Sequence, residues 1–131
     1  MTNVSLPIIV VADDDRDFCG VIKKQLTRHG FQVFIADNGE TALELVVADR
    51  PAVPLLDIMT PKLSGPEVAR KIREDRANAT VSIKLISARS SGRVEGDLVD
   101  LDIEDYITKP FSPMDLVVRI NHVINRGAHH D

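Results

Sequence analysis

Five side chains that could handle a phosphoryl group or a hard metal ion follow four separate apolar segments of the chain. They are Asp13, Asp14, Asp57, Ser87 and Lys109. An open parallel α/β sheet brings the carboxyl ends of its strands to one edge, where ligands bind. If the apolar segments are strands of such a sheet, the acids, the hydroxyl and the amine converge on one site although they are far apart in the sequence.

The three carboxylates of this set predict a divalent cation. Carboxylates held close together resist ionisation unless a cation joins them, and oxygen ligands that include one or two carboxylates are typical of Mg²⁺. A hard metal, a lysine ammonium and a hydroxyl can together hold the equatorial oxygens of a phosphoryl group in transfer. Because aspartate is a known nucleophile toward phosphorus, the inferred reaction is metal-assisted phosphorylation of Asp57.

The periodicity of apolar residues predicts five strands, each followed by a helix, as the elements that position these side chains. The strands are predicted at residues 8–12, 31–36, 53–57, 81–86 and 103–108. The helices are predicted from Phe18 until Gly30 ends the first, then at about 41–48, 66–76, 93–101 and from 113 onwards. Short right-handed crossovers would wind these units into a flavodoxin-like (βα)5 fold, an α/β doubly wound parallel sheet of strand order 2-1-3-4-5 in a single domain.

The composition fits one cytoplasmic domain with an aliphatic core. With 131 residues, 44% hydrophobic and 4% aromatic, the chain can bury such a core without metal or disulfide support. A net charge of −4 predicts no direct nucleic-acid binding by this chain. No apolar run approaches the roughly 20 residues of a membrane-spanning helix, so no membrane attachment is expected. The single cysteine, Cys19, is expected to pack as a small apolar residue rather than to react.

The order and spacing of the polar residues resemble those of response-regulator receiver domains. The motifs that carry the resemblance are Asp13-Asp14, Asp57 with Pro61 and Gly65, Ser87-Ala88, Tyr106 and Lys109-Pro110-Phe111. The interval from Asp57 to Ser87 is 30 residues, and that from Ser87 to Lys109 is 22. Motifs at matching intervals along most of the chain make the resemblance specific.

The resemblance divides the chain into a receiver domain and two short ends. The receiver domain is expected at residues 7–126, after a disordered or extended N-terminus at 1–6. A C-terminal tail is expected at 127–131. His129 and His130 lie in that polar tail, so they are interpreted as part of it and not as metal ligands.

What the resemblance implies is a phosphorylation switch of a two-component pathway. A sensor histidine kinase or a phosphotransfer protein would phosphorylate Asp57. Asp14 and Asp57 would be direct ligands of Mg²⁺ or Mn²⁺. The Met59 backbone carbonyl would be a third ligand, and Asp13 would act through water. The chain would catalyse its own phosphorylation and slow dephosphorylation, but it would not be a turnover enzyme.

The resemblance also implies a switch that leads from the site to an output surface. Lys109 would bind the phosphoryl group, Ser87 would reorient to hydrogen-bond it, and Tyr106 would rotate inward. The Lys109-Pro110 bond is expected to be cis. The output surface would comprise the fourth predicted helix, the fifth strand and the fifth predicted helix.

The end of the chain is similar to receivers that precede winged-helix DNA-binding domains. We therefore expect a downstream effector or a fused output domain, and the chain could be a piece of a longer regulator as readily as a stand-alone one. In that subfamily phosphorylation promotes a homodimer, and Asp105 with Arg119 are candidates for a cross-dimer ion pair. Met59 and Arg89 occupy the positions that bear on phosphoryl lifetime in the family, and Met59 has no good group to orient water, so slow dephosphorylation is expected.

Three positions depart from the family pattern. Pro54 removes a ladder donor from the third strand, which is expected to be shortened to Leu55-Leu56-Asp57 or locally distorted. Lys84 stands in the fourth strand where an aliphatic residue is usual, and it is expected to snorkel to an edge unless it is paired. Asp102-Ile103 replaces a usual Gly-Ala, so the turn before the fifth strand should differ.

Other interpretations remain open at this point. Acids at helix starts often only cap the helix, which is the favoured reading of Asp15 and Asp17. Tyr106 is as easily a core-edge tyrosine as a switch. The sequence Asp13-x-Asp15 echoes haloacid-dehalogenase-type phosphatases, although no cap domain is present. A pseudo-receiver, folded but not controlled by phosphorylation, is the main alternative function.

Overall fold

Five parallel strands form one sheet, and helices cover both of its faces. The structure, a computed structural model, describes residues 6–87 and 101–128. The strands are β1 (Ile8–Ala12), β2 (Gln32–Ala36), β3 (Val53–Asp57), β4 (Lys84–Ser87) and β5 (Asp105–Thr108). The helices of the described residues are α1 (Arg16–Arg28), α2 (Gly39–Asp49), α3 (Gly65–Glu74) and α4 (Pro113–Ala128), with a short 3₁₀ helix at Arg76–Asn78.

The strand order is β2-β1-β3-β4-β5, which confirms the predicted doubly wound sheet. Helix α4 corresponds to the fifth predicted helix. The fourth predicted helix, at 93–101, lies outside the described residues except for its last residue. In the described ranges, no helix is long and apolar enough to span a bilayer.

Alternate residues of β1 point into two separate cores. Ile9 and Val11 pack with the apolar faces of α1 and α4, whereas Val10 and Ala12 pack with those of α2 and α3. Because both faces of the sheet are covered, its central strands are continuously apolar rather than alternating. The sequence therefore changes from apolar to polar residues at the carboxyl ends of β1 and β3.

The expected shortening of the third strand is wrong. β3 runs from Val53 to Asp57, and Pro54 lies in register with Val10 of β1. Pairing of β3 with β4 starts only at Leu55. Pro54 thus lies where β3 has a single partner strand, and the missing N–H costs at most one ladder bond.

The expectation that Lys84 reaches an edge of the sheet is also wrong, because the side chain is buried and paired. Lys84 is 1% exposed. Its Nζ donates to Glu104 Oε1 at 2.6 Å and to Asp105 Oδ2 at 3.2 Å. The sheet register places Lys84 opposite Asp105, so the neighbouring strand brings the counter-charges to the lysine.

The last two strands both begin later than predicted. β4 begins at Lys84, three residues late, and β5 begins at Asp105, two residues late. The guanidinium of Arg73 donates to the Val81 carbonyl at 2.8 Å, to that of Leu101 at 2.7 Å and to that of Asp102 at 2.9 Å. The Val81 carbonyl is therefore held by a helix side chain instead of a strand ladder, and the start of the predicted fourth strand is not a strand. Asp102 has a φ of 52°, a left-handed conformation that aspartate adopts more readily than most residues.

Candidate functional site

Two buried carboxylates lie side by side where β1 and β3 end. Asp13 follows β1 and is 1% exposed, and Asp57 ends β3 and is 9% exposed. Backbone amides orient both side chains: Asp15 donates to Asp13 Oδ1 at 2.9 Å, and Met59 donates to Asp57 Oδ1 at 2.9 Å. The second oxygen of each carboxylate faces the Lys109 ammonium.

Lys109 joins these two carboxylates. Its Nζ lies 2.9 Å from Asp13 Oδ2 and 3.5 Å from Asp57 Oδ2. The backbone N–H of Lys109 donates to the Ser87 carbonyl at 2.8 Å, which ties the loop after β5 to the end of β4. The Lys109-Pro110 peptide bond is cis, as expected. The sheet thus brings Lys109 to two acids that lie 52 and 96 positions earlier in the sequence.

The remaining candidate residues lie after β1 and β3, at the end of β4 and within β5. Ser87 is buried at the end of β4, and Asp14 is exposed beside Asp13. Met59 is 77% exposed on the loop beyond Asp57. Tyr106 is half-buried and packs against the core formed with α2 and α3. Arg89 lies outside the described residues.

The donors at this edge are suited to a hard cation that keeps part of its water shell. Within the described part of the chain, no three His, Cys, Asp or Glu side chains are grouped to hold a metal ion by themselves. Mg²⁺ is usually bound by only one or two carboxylates together with water. Two carboxylates and a backbone carbonyl fit that pattern, and Asp13 already contacts Lys109 with one oxygen. The donor set is entirely oxygen, as Mg²⁺ and Mn²⁺ prefer.

The electrostatics of the site favour added positive charge. Burial raises the pKa of Asp57, and its hydrogen bond and charge interaction with Asp13 raise it further. Burial alone would lower the pKa of Lys109, but its contacts with Asp13 and Asp57 outweigh this and raise it. The carboxylate is held in a place where its charge is not fully compensated, which a bound cation would correct.

The raised pKa of Asp57 leads to a prediction on stability without metal. A carboxyl whose pKa is higher in the folded than in the unfolded chain loses its stabilising contribution as pH rises through the folded pKa. In EDTA, the Asp57→Asn variant is therefore expected to have a higher free energy of unfolding than wild type at neutral pH, and the difference should vanish in acid. Urea denaturation at several pH values measures this. Wild type that equals or exceeds the variant at neutral pH would contradict it.

An aromatic ring lies below the lysine, which the sequence did not indicate. Lys109 Nζ is 4.3 Å from the centroid of the Phe18 ring. Phe111 contacts that ring edge-on, with centroids 5.6 Å apart and an interplanar angle of 89°. In the sequence, Phe18 belongs to the apolar stripe of α1, and that pattern carries no signal that one ring of the stripe faces a charge.

Cys19 behaves as expected. It is buried, and its thiol donates to the Asp13 carbonyl at 3.3 Å. Burial, followed by the charges of Asp13 and Asp15, raises the pKa of the thiol to about 12. The thiol is therefore a packing group and not a nucleophile. Asp15 also matches its predicted capping role, because its side chain accepts from the Phe18 amide at 3.1 Å.

Two glycines leave room for the loop that follows Asp57. A Cβ added to Gly65 would lie 2.6 Å from the Asp57 backbone oxygen and 3.0 Å from its carbonyl carbon. A Cβ on Gly39 would overlap the Leu63 backbone carbonyl, and the Gly39 amide donates to the Pro61 carbonyl at 3.0 Å. Helices α2 and α3 therefore start in direct backbone contact with the site loop.

The Gly65→Ala variant is expected to lose stability because this contact involves backbone that cannot move aside. We expect its free energy of unfolding to fall by about 1–3 kcal/mol, the usual cost of overpacking. Gly20, inside α1, is the matched control, because an added Cβ there meets nothing within 4 Å. Gly20→Ala should gain about 0.5–1 kcal/mol. Urea denaturation of both variants decides the matter, and equal effects would contradict the proposed crowding.

The sheet order, with acids and a lysine gathered where β1 and β3 end, defines a flavodoxin-like domain with its site at the topological switch point. Within that class, the chain belongs to the response regulator receiver domains. The family model for this domain matches residues 9–121. Domains of this family are signalling switches in two-component systems and not turnover enzymes.

Curated relatives include two longer regulators. The response regulator MprA of Mycolicibacterium vanbaalenii is 33% identical over 94% of this chain and 52% of its own length. The transcriptional regulatory protein SrrA of Staphylococcus aureus is 35% identical over 94% of this chain and 49% of its own length. The chain therefore spans about half the length of these relatives.

Solved structures of receiver domains have the same fold. The receiver domain of the Francisella response regulator 1452 has a TM-score of 0.82 and 30% identity, covering 92% of this chain and 98% of its own. The receiver domain of the sensor histidine kinase PA1611 from Pseudomonas aeruginosa has a TM-score of 0.83 and 23% identity, covering 92% of this chain and 99% of its own. The latter holds a magnesium ion in its active site cleft.

Proposed function

We propose that this domain is a switch controlled by phosphorylation of Asp57, and that a sensor histidine kinase or phosphotransfer protein is the donor. The observation that carries the proposal is the contact of one ammonium, that of Lys109, with both Asp13 and Asp57 at the switch point of the sheet. From that place, the ammonium can pair with the Asp57 carboxylate and then with the oxygens of a phosphoryl group that is transferred to it. Nothing in core packing requires two buried acids and a lysine at this edge.

In the proposed reaction, an Asp57 carboxylate oxygen forms a bond to phosphorus while the bond from phosphorus to the donor's leaving atom breaks. The leaving group departs with the electron pair, as acetate when acetyl phosphate is the donor. The Met59 amide, which donates to Asp57 Oδ1, fixes the orientation of the nucleophile. Lys109 neutralises charge on the phosphoryl oxygens, and buried Ser87 offers a hydroxyl to one of them.

The residues that would hold a divalent cation are Asp14 and Asp57, with the Met59 backbone carbonyl as a third ligand and Asp13 acting through water. Mg²⁺, or Mn²⁺ in its place, would supply positive charge that offsets the charge of the transferring phosphoryl group. Support comes from the oxygen-only donors and from the incompletely compensated charge of Asp57. The magnesium ion in the PA1611 receiver domain adds an analogy at the level of the fold.

The output would pass through Ser87 and Tyr106 to the surface formed by the fourth predicted helix, by β5 and by α4. A downstream effector or a fused output domain would bind there, in the cytoplasm. A homodimer on phosphorylation is part of the same proposal. In the single chain, Arg119 Nη1 donates to both carboxylate oxygens of Asp105 at 2.9 and 2.8 Å, so a dimer that paired these residues across its interface would have to exchange this contact.

The lifetime of the phosphorylated form is expected to be long. Met59 is largely exposed next to Asp57 and has no group that could orient an attacking water. We therefore expect spontaneous dephosphorylation over minutes to hours, which intact mass recorded after donor removal would follow. A Met59→Asn variant, with an amide that can bind water, should dephosphorylate faster. A wild-type half-life of a few seconds would contradict the prediction.

The proposed function is tested by intact mass after incubation with acetyl phosphate. Wild type with Mg²⁺ should gain about 80 Da, the mass of one phosphoryl group. The Asp57→Ala variant, and wild type in EDTA, should gain nothing. A folded wild type that gains no mass would overturn the proposal and favour a pseudo-receiver that works as an interaction module without phosphorylation.

A further inference from the structure

The contact between Phe18 and Lys109 joins an α1 side chain to the reacting group of the site. Lys109 Nζ lies 4.3 Å from the Phe18 ring centroid, and the lysine side chain is 28% exposed. The face of an aromatic ring attracts a cation at this distance through its quadrupole. The ammonium is therefore held on one side by two carboxylates and on another by the ring.

The ring is itself fixed by the loop that carries the acids. Asp13 Oδ1 accepts from the Asp15 amide at 2.9 Å, and Asp15 Oδ1 accepts from the Phe18 amide at 3.1 Å. The first turn of α1 is thus attached to the carboxylate that binds the lysine. Phe111 packs against the ring in a T-shaped contact. These contacts hold the ring at a set position relative to Asp13.

A lysine needs such support because its four-carbon stem is flexible and its ammonium has no preferred direction. When a phosphoryl group joins Asp57, the ammonium must leave part of its contact with the carboxylates and still face the site. The ring offers it a neutral surface that competes with neither the carboxylates nor the phosphoryl oxygens for hydrogen bonds. An aliphatic side chain of similar size would fill the space but would not attract the charge.

We propose that Phe18 is a positioning residue for phosphoryl transfer, and that its ring holds the Lys109 ammonium over the site through a cation–π contact. The inference rests on the proposed function, because it gives Phe18 a role in the same reaction. It adds a residue of α1 to a site otherwise made from strand ends and their loops.

The test compares rate constants for phosphoryl uptake from acetyl phosphate at saturating Mg²⁺, measured by intact mass. Phe18→Leu should react about threefold to tenfold more slowly than wild type, the range of a partly exposed cation–π contact. Phe18→Tyr keeps a π face and should stay within about twofold of wild type. Phe34→Leu is the control: it removes a half-buried ring of β2 that packs in a different core from the one that holds Phe18, so it should also stay within about twofold.

A double-mutant cycle separates positioning from packing. If Phe18 acts through Lys109, Phe18→Leu should slow uptake no further in a Lys109→Ala background. Thermal unfolding shows whether each variant is folded, and Phe18→Tyr provides the comparison if Phe18→Leu is not. Equal rates for wild type and Phe18→Leu, or an equal loss in both backgrounds, would overturn the inference while the proposed function stands. A wild type that gains no phosphoryl group would overturn both.

Discussion

Replacing Lys109 by alanine is expected to slow phosphoryl uptake from acetyl phosphate by about 10²- to 10³-fold, the usual cost of removing one preorganised donor from a site of charge development. The Nζ of Lys109 lies 3.5 Å from Asp57 Oδ2, on the proposed nucleophile, so it is well placed among the described residues to meet the phosphoryl oxygens. Its removal also leaves buried Asp13 without its 2.9 Å partner. The rate constant by intact mass, at saturating Mg²⁺, is the measurement.

Lys62 provides the matched control for this variant. It is a lysine of the loop after Asp57, but its side chain is 61% exposed and its Nζ is 3.9 Å from Glu40. Exposed pairs of this kind contribute little, so Lys62→Ala should react at the wild-type rate. Thermal unfolding in Mg²⁺ shows that each variant is folded under the assay conditions. A folded Lys109→Ala variant that reacts as fast as Lys62→Ala would contradict the role given to Lys109.

Replacing Lys84 by alanine is expected to lower the free energy of unfolding by about 3–5 kcal/mol, as breaking a buried ion pair usually does. The lysine is 1% exposed, and its ammonium is the shared partner of Glu104 and Asp105. Alanine would leave both a cavity in the core and carboxylates without this partner. Urea denaturation at neutral pH measures the change.

A second variant separates the cavity from the charge. Lys84→Met fills most of the same volume, and combined with Glu104→Gln it removes the lysine and one of its two counter-charges together. Replacing a buried ion pair by groups of similar shape is often neutral or stabilising. The double variant is therefore expected to regain most of the stability that Lys84→Ala loses. If Lys84→Ala itself lost less than about 1 kcal/mol, the ammonium would be hydrated and not buried as the structure has it.

The buried lysine also connects the strand that carries Ser87 to the last helix. Lys84 lies on β4, three residues before Ser87, and it shares the Asp105 carboxylate with Arg119 of α4. Arg119 in turn donates to Asp115 at 3.0 Å. Both members of the proposed cross-dimer pair thus belong to an ion-pair chain within one molecule.

The chain's local patterns were sufficient to predict the order of its elements and the edge of the sheet where the candidate site residues meet. Each strand of a sheet buried on both faces must be a short apolar run, so the runs are visible in the sequence and their polar ends mark the edge where Asp13, Asp57 and Lys109 meet. The exact bounds of β1 were predicted as well. In each of these cases, the residues that decide the structure are neighbours in the sequence.

Only the tertiary structure decided the features that depend on a partner from another element. Pro54 is tolerated because β4 starts one residue later in the register, and Lys84 is buried because β5 brings carboxylates opposite it. Phe18 meets Lys109, and Arg73 holds carbonyls 28 and 29 positions away, because helices pack onto the sheet at places that no local pattern specifies. The free-energy cost of burying a polar side chain depends on the neighbours packed around it and on the opposite charges that they bring. Such residues therefore acquire their roles only in the folded chain.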